Sequence, residues 1–549
     1  MKGAKHRLPI VGAVCDGEDY PSLLPPRKRP RVPRASTILL LAFGALAATG
    51  FAPLEWIPAT LIGLAGGFWL VHDAATMRSA LWRGWLWGVG HFTINNNWIQ
   101  HAFTYQDKMP SELGYVAVVG LALYLAVYPM LAFGLAWRLA SPRAIGDTRS
   151  PPGPGYALVA GAAWIVAEWL RAKMFSGYAW DPIGVVWVGD LAVGRVAAWI
   201  GTYALSGLTV AAVVAVLPVL RGGRKGLFAG VAAALIALHL IPQAPEAPPA
   251  APGTPLVRVV QPNTAQEDRR LPSFPEDSLR LLASLSGTPG PVPRLIVWPE
   301  GAVDHYLEDG YPAEWYYRGG PEDNRRRLAA LLGPSDTLLT GGSALEFDGA
   351  GKLANAGNTV FAITPDAQLA GRYDKAHLVP YGEYLPARPI LGRLGLARLV
   401  PGDIDFVEGP GPRALPVPGI GPVGMQICYE IIFSGQVVDP AQRPRLLFNP
   451  SNDAWFGAWG PPQHLAQARM RALEEGLPML RSTPTGISAI IDAHGRLLAT
   501  VPQHRAGAIE LPLPAALPPT LFARHGNLLA FAVAGLLTLL AIAFRRRAR

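Results

Sequence analysis

Gly421-Pro-Val-Gly-Met-Gln-Ile-Cys428-Tyr-Glu-Ile-Ile-Phe-Ser-Gly435 holds one of the two cysteines of a 549-residue chain. Val423 to Ile427 is a short apolar run of the kind that forms a buried strand, and the residues after Cys428 can open a helix. A thiol at a strand end, on a tight turn into a helix, is held where a substrate reaches it. A helix N-terminus there also favours the thiolate. A lone cysteine is more often a small buried hydrophobe, so the reading as a nucleophile depends on what else the chain supplies.

Two upstream stretches supply it. Leu295-Ile-Val-Trp-Pro-Glu300 is an apolar strand ending at a carboxylate. Pro299 cannot continue a ladder, so Glu300 belongs at the sheet rim, where α/β folds bind ligands. Arg372-Tyr-Asp-Lys375-Ala-His-Leu-Val-Pro-Tyr-Gly-Glu383-Tyr-Leu-Pro386 is polar, aromatic and turn-rich, and follows a strand. Taken singly, a strand-end Glu is usually a solvated carboxylate and a loop Lys is usually surface. Together they make a working nucleophile. A desolvated Glu takes the thiol proton, and Lys375 with the Tyr429 backbone N–H supports a developing oxyanion.

The rest of the chain is a membrane protein by composition. Half of it is hydrophobic, 16% is charged, and the mean hydropathy is +0.23, too apolar for an ordinary soluble enzyme. The net charge of +9 does not indicate nucleic acid. The basic residues gather in the first 34 positions, in short connections and in the last five, as cytoplasmic flanks do. Apolar runs near the ~20 residues of a span occur at 36–54, 56–72, 82–103, 113–138, 156–175, 191–220 and 226–242, with an eighth at 527–544. The basic connections at Arg78 and Arg83, at Arg138, Arg143 and Arg149, and at Arg221, Arg224 and Lys225 alternate. Placing these inside puts residues 243–526 on the outer face and both termini in the cytoplasm.

The expected organisation is a disordered basic cytoplasmic tail (1–35, containing Cys15, which has no catalytic role), seven spans (36–242), a proline-rich linker (243–254), an α/β domain (255–515), and a final span with a basic tail (520–549). Strands are expected at 256–260, 294–298, 337–340, 359–363, 423–427, 445–448 and 486–491, and helices at 276–287, 322–332 and 463–476. Glu168 and Arg171, three apart on a helix, are expected to pair. Trp82, Trp85, Trp87 and Trp98 are expected in an interfacial belt. Two cysteines without a Cys-x-x-Cys pair exclude a disulfide framework and a zinc or redox motif.

Glu300, Lys375 and Cys428, in this order, resemble the Glu-Lys-Cys triad of the nitrilase superfamily. Lys375-Ala-His-Leu-Val-Pro-Tyr-Gly-Glu-Tyr, Cys428-Tyr-Glu-Ile, Ser451-Asn-Asp-Ala-Trp-Phe-Gly457, Gln463-His, Ala468-Arg-Met-Arg-Ala472, Arg481-Ser-Thr and Gly486-Ile-Ser closely resemble the apolipoprotein N-acyltransferase family. The resemblance covers roughly 36–549 and implies a polytopic helical membrane domain of about eight spans with an extracytoplasmic nitrilase-like αββα sandwich.

It also implies a multi-pass enzyme of the bacterial inner membrane with its catalytic domain on the periplasmic side. Such an enzyme moves an acyl chain from a phospholipid, typically phosphatidylethanolamine, to the N-terminal α-amine of diacylglyceryl-cysteine apolipoproteins. It works through a Cys428 thioester in ping-pong fashion. Glu383, Tyr429 and Glu430 match supporting positions. No metal or organic cofactor is implied, and a monomer suffices. Family members usually carry a Lys-Trp pair after the first strand of the domain. Here Gln266-Glu-Asp-Arg-Arg270 stands instead, which bears on donor or acceptor preference. Apolar residues from Leu385 to Leu399 are expected to form a lid on the membrane. The alternatives are a membrane-tethered nitrilase or amidase using the same triad, a transporter with an outer binding domain, and a catalytically dead scaffold. Eight spans are needless for a soluble C–N substrate, and a transporter leaves the three strand-end residues unexplained.

Overall fold

The structure, a computed structural model, describes residues 34–105, 109–140, 152–221, 226–243, 245, 250–391, 393 and 405–547. The basic N-terminal tail to residue 33 with Cys15, Arg143 and Arg149, Arg224 and Lys225, and residues 392 and 394–399 of the expected lid lie outside the described residues. The described part of the lid, 385–391 and 393, includes one helical turn, Arg388–Leu391.

The first half of the chain is helical. Helices run over Arg34–Ala48, Ile57–His72, Met77–Asn95, Pro154–Lys173, Ala197–Val216 and Gly226–Leu240, and a seventh covers Leu113–Ala140. A last one, Leu528–Arg547, closes the chain. Among the described residues three are long and apolar enough to cross a membrane: Leu113–Ala140, Ala197–Val219 and Leu528–Arg546. Their outward faces are apolar, with Val116 66%, Leu528 73% and Leu539 66% exposed. The expected long run 191–220 breaks in two at Gly201, whose φ of 81° and ψ of 164° lie outside the helical region. A Cβ there would strike the Phe522 ring at 2.3 Å, so glycine is required for the chain to turn under that ring.

Two expectations for this region need correction. Glu168 and Arg171 do not pair with each other. Glu168 Oε1 accepts from the Trp164 indole and from the Ile183 backbone N–H, both at 2.8 Å, while Arg171 donates to the Trp180 carbonyl at 2.9 Å. The loop after the helix offers both side chains better-placed partners. The tryptophan belt is only half present. Trp82 is exposed and stacks on Trp85 at 4.9 Å. Trp87 and Trp98 are buried, Trp87 donating to the Gly63 carbonyl and Trp98 packing on Trp180 and Phe456.

The second half builds twelve strands: β1 Leu256–Gln261, β2 Arg294–Val297, β3 Thr337–Phe347, β4 Leu353–Ile363, β5 Leu369–Asp374 and β6 Ala414–Val417, then β7 Gly421–Met425, β8 Leu446–Pro450, β9 Met479–Ser482, β10 Ser488–Ile491, β11 Leu497–Val501 and β12 Gly507–Pro512. They form two six-stranded sheets, ordered β12-β1-β2-β3-β4-β5 and β11-β10-β9-β8-β7-β6. β1-β2-β3 and β7-β8-β9 are parallel and the other pairs antiparallel. The parallel strands are continuous apolar runs because both their faces are covered.

Val259, Val297, Leu339 and Tyr373 of one sheet meet Met425, Phe448, Leu480 and Ile490 of the other in a shared core. Helices Phe274–Leu285 and Pro321–Ala329 cover the first sheet through Leu282 and Leu328. Helix Gly460–Glu475 covers the second through Leu465, Ala468 and Ala472. The result is an αββα sandwich.

That last helix also joins the domain to the helical half. Ile165, Ala172, Trp180 and Tyr203 share its apolar cluster. Within the cluster, Glu474 Oε1 accepts from the Thr202 N–H at 2.7 Å, the Thr202 hydroxyl at 2.6 Å and the Ser434 hydroxyl at 2.8 Å. Arg471 closes the knot, 2.8 Å from the second oxygen.

Candidate active site

Glu300 lies three residues past the end of β2, beyond Trp298 and Pro299. The turn lies against β3 at Gly341, whose N–H donates to the Pro299 carbonyl at 3.2 Å. A Cβ on Gly341 would meet Gly301 N at 2.5 Å and the Pro299 carbonyl oxygen at 2.6 Å. Only glycine admits the Glu300 turn so close to the sheet. Both carboxylate oxygens are engaged: Oε1 accepts from Asn358 Nδ2 and Oε2 from the Asn452 backbone N–H, each at 2.7 Å.

Lys375 directly follows β5. Its N–H donates to the Asn358 carbonyl at 2.9 Å, and its own carbonyl accepts from Gly409 N at 2.8 Å. Its side chain is 1% exposed; Nζ lies 2.9 Å from Glu383 Oε2, 3.0 Å from Oε1 and 3.6 Å from Glu300 Oε1. Burial opposes the charge, but Glu383 and then Glu300 outweigh it and hold the pKa well above the ordinary lysine range. The ammonium is therefore permanent.

Cys428 sits three residues past β7, at φ 51°. A non-glycine residue in the left-handed region marks strain of order 1–3 kcal/mol that its surroundings must hold. They do so at its carbonyl, which accepts from His464 Nε2 at 3.1 Å and Asn449 Nδ2 at 3.4 Å. His464 Nδ1 lies 3.0 Å from both Asp453 Oδ1 and Arg481 Nη2, and Arg481 holds Asp453 Oδ2 at 2.5 Å. Burial and Arg481 depress the His464 pKa, against Asp453 and the Cys428 carbonyl, which raise it. The expected helix after Cys428 is only a five-residue 3₁₀ turn, Cys428–Ile432.

The thiol is buried, and it does not favour the thiolate. Burial pushes its pKa well above the ordinary range, Glu300 pushes the same way, and Lys375 opposes them. This corrects the expectation of a helix-stabilised thiolate, because desolvation outweighs what one short turn supplies.

Glu430 joins the Cys428 and Lys375 turns. Oε2 accepts from Ile427 N at 2.6 Å; Oε1 accepts from Ala376 N at 2.7 Å, the Tyr373 hydroxyl at 2.9 Å and His377 N at 3.1 Å. Burial pushes its pKa up to about 7 against these hydrogen bonds. Glu383 closes its own loop, accepting from Val379 N at 2.8 Å. Tyr429 reaches away from this network and donates to the Gly177 carbonyl at 3.2 Å.

Five of the six residues singled out in the sequence, Glu300, Lys375, Glu383, Cys428 and Glu430, thus gather at strand ends of the two sheets, while the Tyr429 side chain points away from them. Sequence reasoning missed Asn358, which donates to Glu300 and, at 2.8 Å, to Glu383 Oε1. It noted Asn452 only within the quoted Ser451–Gly457 stretch. A polar amide in the otherwise apolar second half of β4 was the available signal for Asn358. The divergent Gln266–Arg270 stretch also borders the site: Gln266 accepts from Asn452 Nδ2 at 3.1 Å, and Arg269 donates to the Gly301 carbonyl at 2.8 Å.

Comparison with known proteins gives the family. Residues 43–215 match the apolipoprotein N-acyltransferase N-terminal domain and residues 256–515 the carbon-nitrogen hydrolase domain. An apolipoprotein N-acyltransferase of Rhodopseudomonas palustris is 31% identical over 537 residues, 93% of this chain and 96% of the relative. The chain belongs to the apolipoprotein N-acyltransferase family. Relatives of the same name from Caulobacter vibrioides (34% identical, 88% of this chain and 89% of the relative) and Bradyrhizobium diazoefficiens (33%, 93% and 95%) bear this out along nearly the whole length. The protein is accordingly an acyltransferase of lipoprotein maturation, with a nitrilase-like domain serving transfer.

Proposed function

We propose that Cys428 is the nucleophile of a ping-pong N-acyl transfer, Glu300 its general base and Lys375 its oxyanion stabiliser. The donor is a phospholipid such as phosphatidylethanolamine, and the acceptor is the N-terminal α-amine of a diacylglyceryl-cysteine apolipoprotein. The observation that carries this reading is the permanent Lys375 ammonium, held between Glu300 and Glu383 within electrostatic reach of a neutral buried thiol.

In the first half-reaction Sγ attacks the donor ester carbonyl as its proton passes to Glu300. The oxyanion forms against Lys375 and the Tyr429 backbone N–H. Collapse breaks the ester C–O bond, and Glu300 returns the proton to the departing lysophospholipid, leaving a thioester. In the second, the neutral amine attacks the thioester and gives its proton to Glu300. A second oxyanion collapses with cleavage of C–S, and the thiol recovers the proton. Asn358 and the Asn452 N–H orient Glu300 while leaving each oxygen a further lone pair. Glu383, Glu430 and Tyr429 are positioning residues.

The eight helices are read as membrane spans, with residues 255–515 on the outer face, both termini inside, 1–35 as a cytoplasmic tail, 243–254 as a linker and 520–549 as the closing span. Both substrates carry acyl chains that leave a bilayer at about 0.8 kcal/mol per CH₂, so a bilayer-anchored site suits them.

The test is intact-mass spectrometry of wild type and Cys428→Ala after incubation with phosphatidylethanolamine alone. A fatty-acyl increment on wild type, absent from the variant and discharged by a diacylated lipopeptide, is expected. An adduct that water discharges but the lipopeptide does not would overturn the proposal in favour of hydrolysis.

A further inference from the structure

Two charged residues near the catalytic turns have no role in the chemistry above. Lys173 ends the Pro154–Lys173 helix and is exposed. Met174 and Phe175 follow, 46% and 86% exposed, and the Phe175 ring stands 5.8 Å from Tyr124 on the apolar Leu113–Ala140 helix. The chain then turns into the site: the Ser176 carbonyl accepts from His377 Nε2 at 2.8 Å. Lys173 is thus three residues from a direct contact with the Lys375 turn.

Glu408 approaches the same turn from another segment. Its neighbour Gly409 donates to the Lys375 carbonyl at 2.8 Å, and Val407 N donates to the Ala356 carbonyl at 3.0 Å. A Cβ on Gly409 would lie 2.1 Å from the Asp374 carbonyl oxygen, so this segment is pressed onto the end of β5. Glu408 itself is exposed. His377 senses both charges, Glu408 favouring and Lys173 disfavouring its protonated form. Neither residue forms an ion pair among the described residues. An unneutralised cation and anion beside the exposed Met174 and Phe175 suit a ligand with one charge of each sign and an acyl tail.

We propose that Lys173 and Glu408 form the head-group subsite for a zwitterionic glycerophospholipid donor, Lys173 receiving the phosphodiester and Glu408 the ammonium. This rests on the phospholipid-donor reading above and adds a basis for head-group choice. Lys173 serves any phospholipid, whereas Glu408 favours a head group bearing an amine over one ending in hydroxyls.

The test measures acyl-enzyme formation by full-length protein in detergent, with phosphatidylethanolamine and phosphatidylglycerol of identical acyl chains. Wild type, Lys173→Gln, Glu408→Gln and Glu408→Lys are compared. Lys173→Gln is expected to raise the half-saturating concentration of both donors roughly fivefold, the size of one partly exposed ion pair, without changing the saturated rate. Glu408→Gln should erase the preference between donors and Glu408→Lys should reverse it toward phosphatidylglycerol. A reversal cannot arise from mere misfolding. Donor ratios unchanged in both Glu408 variants overturn the subsite while leaving the phospholipid donor intact. No acylation of wild type by either lipid overturns the donor reading, and the subsite with it.

Discussion

Replacing Glu430 by Gln removes a charge from the centre of the site while keeping its shape. The carboxylate receives one N–H on Oε2 and three donors on Oε1. A carboxamide has one acceptor atom, so its NH₂ turns toward Ile427 and orphans that buried N–H, at about 1–3 kcal/mol. The Cys428 turn then loses its tie to the Lys375 turn. A misplacement of this kind costs on the order of 10²-fold in rate.

The pH dependence separates this account from a generic packing defect. Glu430 has its pKa pushed up from 4.5 to about 7, chiefly by burial. Folding therefore favours the protonated form. The stability this brings is fully present below about pH 4.5 and is lost as pH rises through about 7. The loss is on the order of 3 kcal/mol, at about 1.4 kcal/mol per unit. Activity runs the other way, because the proton occupies an acceptor position of the strap. Wild-type acylation should rise with pH around 7 while stability declines. Glu430→Gln should be slow throughout and lack that limb, and its pH–stability curve should lack the wild-type decline. Acylation rates and thermal unfolding from pH 4.5 to 8.5 measure both. A variant that retains the same limb near 7, with a stability profile parallel to wild type, would refute the reasoning.

Three further outcomes follow from the geometry. In a Cys15→Ser background, iodoacetamide should alkylate Cys428 far more slowly at pH 7.5 than a free thiol, since burial and Glu300 keep it protonated; peptide mass spectrometry reads this directly. Glu474→Ala leaves Arg471 buried and unpaired and strips the acceptor from Thr202 and Ser434. It should destabilise the junction by roughly 3–5 kcal/mol, seen as a lowered unfolding midpoint. Asp336 binds Arg294 at 2.6 Å and the Gly333 N–H at 2.8 Å, at the strand ends opposite the site. Asp336→Asn should cost a similar few kcal/mol while the acylation rate per folded molecule stays at the wild-type value.

The parts of the site that could be read from the chain were those dictated by local chemistry. Pro299 stops β2, so Glu300 had to fall at a rim. The Val423–Ile427 run had to be a strand, so Cys428 had to follow one. What escaped reading was set at long range. Asn358 matters because β4 pairs with both β3 and β5, bringing its amide to Glu300 and Glu383. β12 was not expected, since its half-exposed residues signal little until β1, some 250 positions earlier, pairs with it. The thiolate expectation failed for a related reason: a sequence pattern indicates a turn, but not how completely the fold desolvates it. Glu168 and Arg171 were read as mutual partners from helical spacing, while Arg171 bonds the loop that follows and Glu168 bonds that loop and Trp164 of its own helix.

A neutral thiol beside a permanent cation has a consequence for transfer against hydrolysis. The same three residue types serve both reactions, so the outcome depends on which nucleophile reaches the thioester first. On the proposed mechanism Glu300 serves whichever nucleophile lies within reach, its two oxygens oriented by Asn358 and the Asn452 N–H. Water is excluded by the same packing that raises the Cys428 pKa: the residue is 6% exposed, and the Tyr429 hydroxyl ties its turn to the Gly177 carbonyl of the helical half. On that mechanism an acceptor amine carried on a lipid anchor is already held at the bilayer, at little cost in burial. If Cys428 carries the acyl group as proposed, the dry thiol is both a reluctant nucleophile and a protected thioester. That combination suits an enzyme that must wait, acylated, for a second membrane-bound substrate.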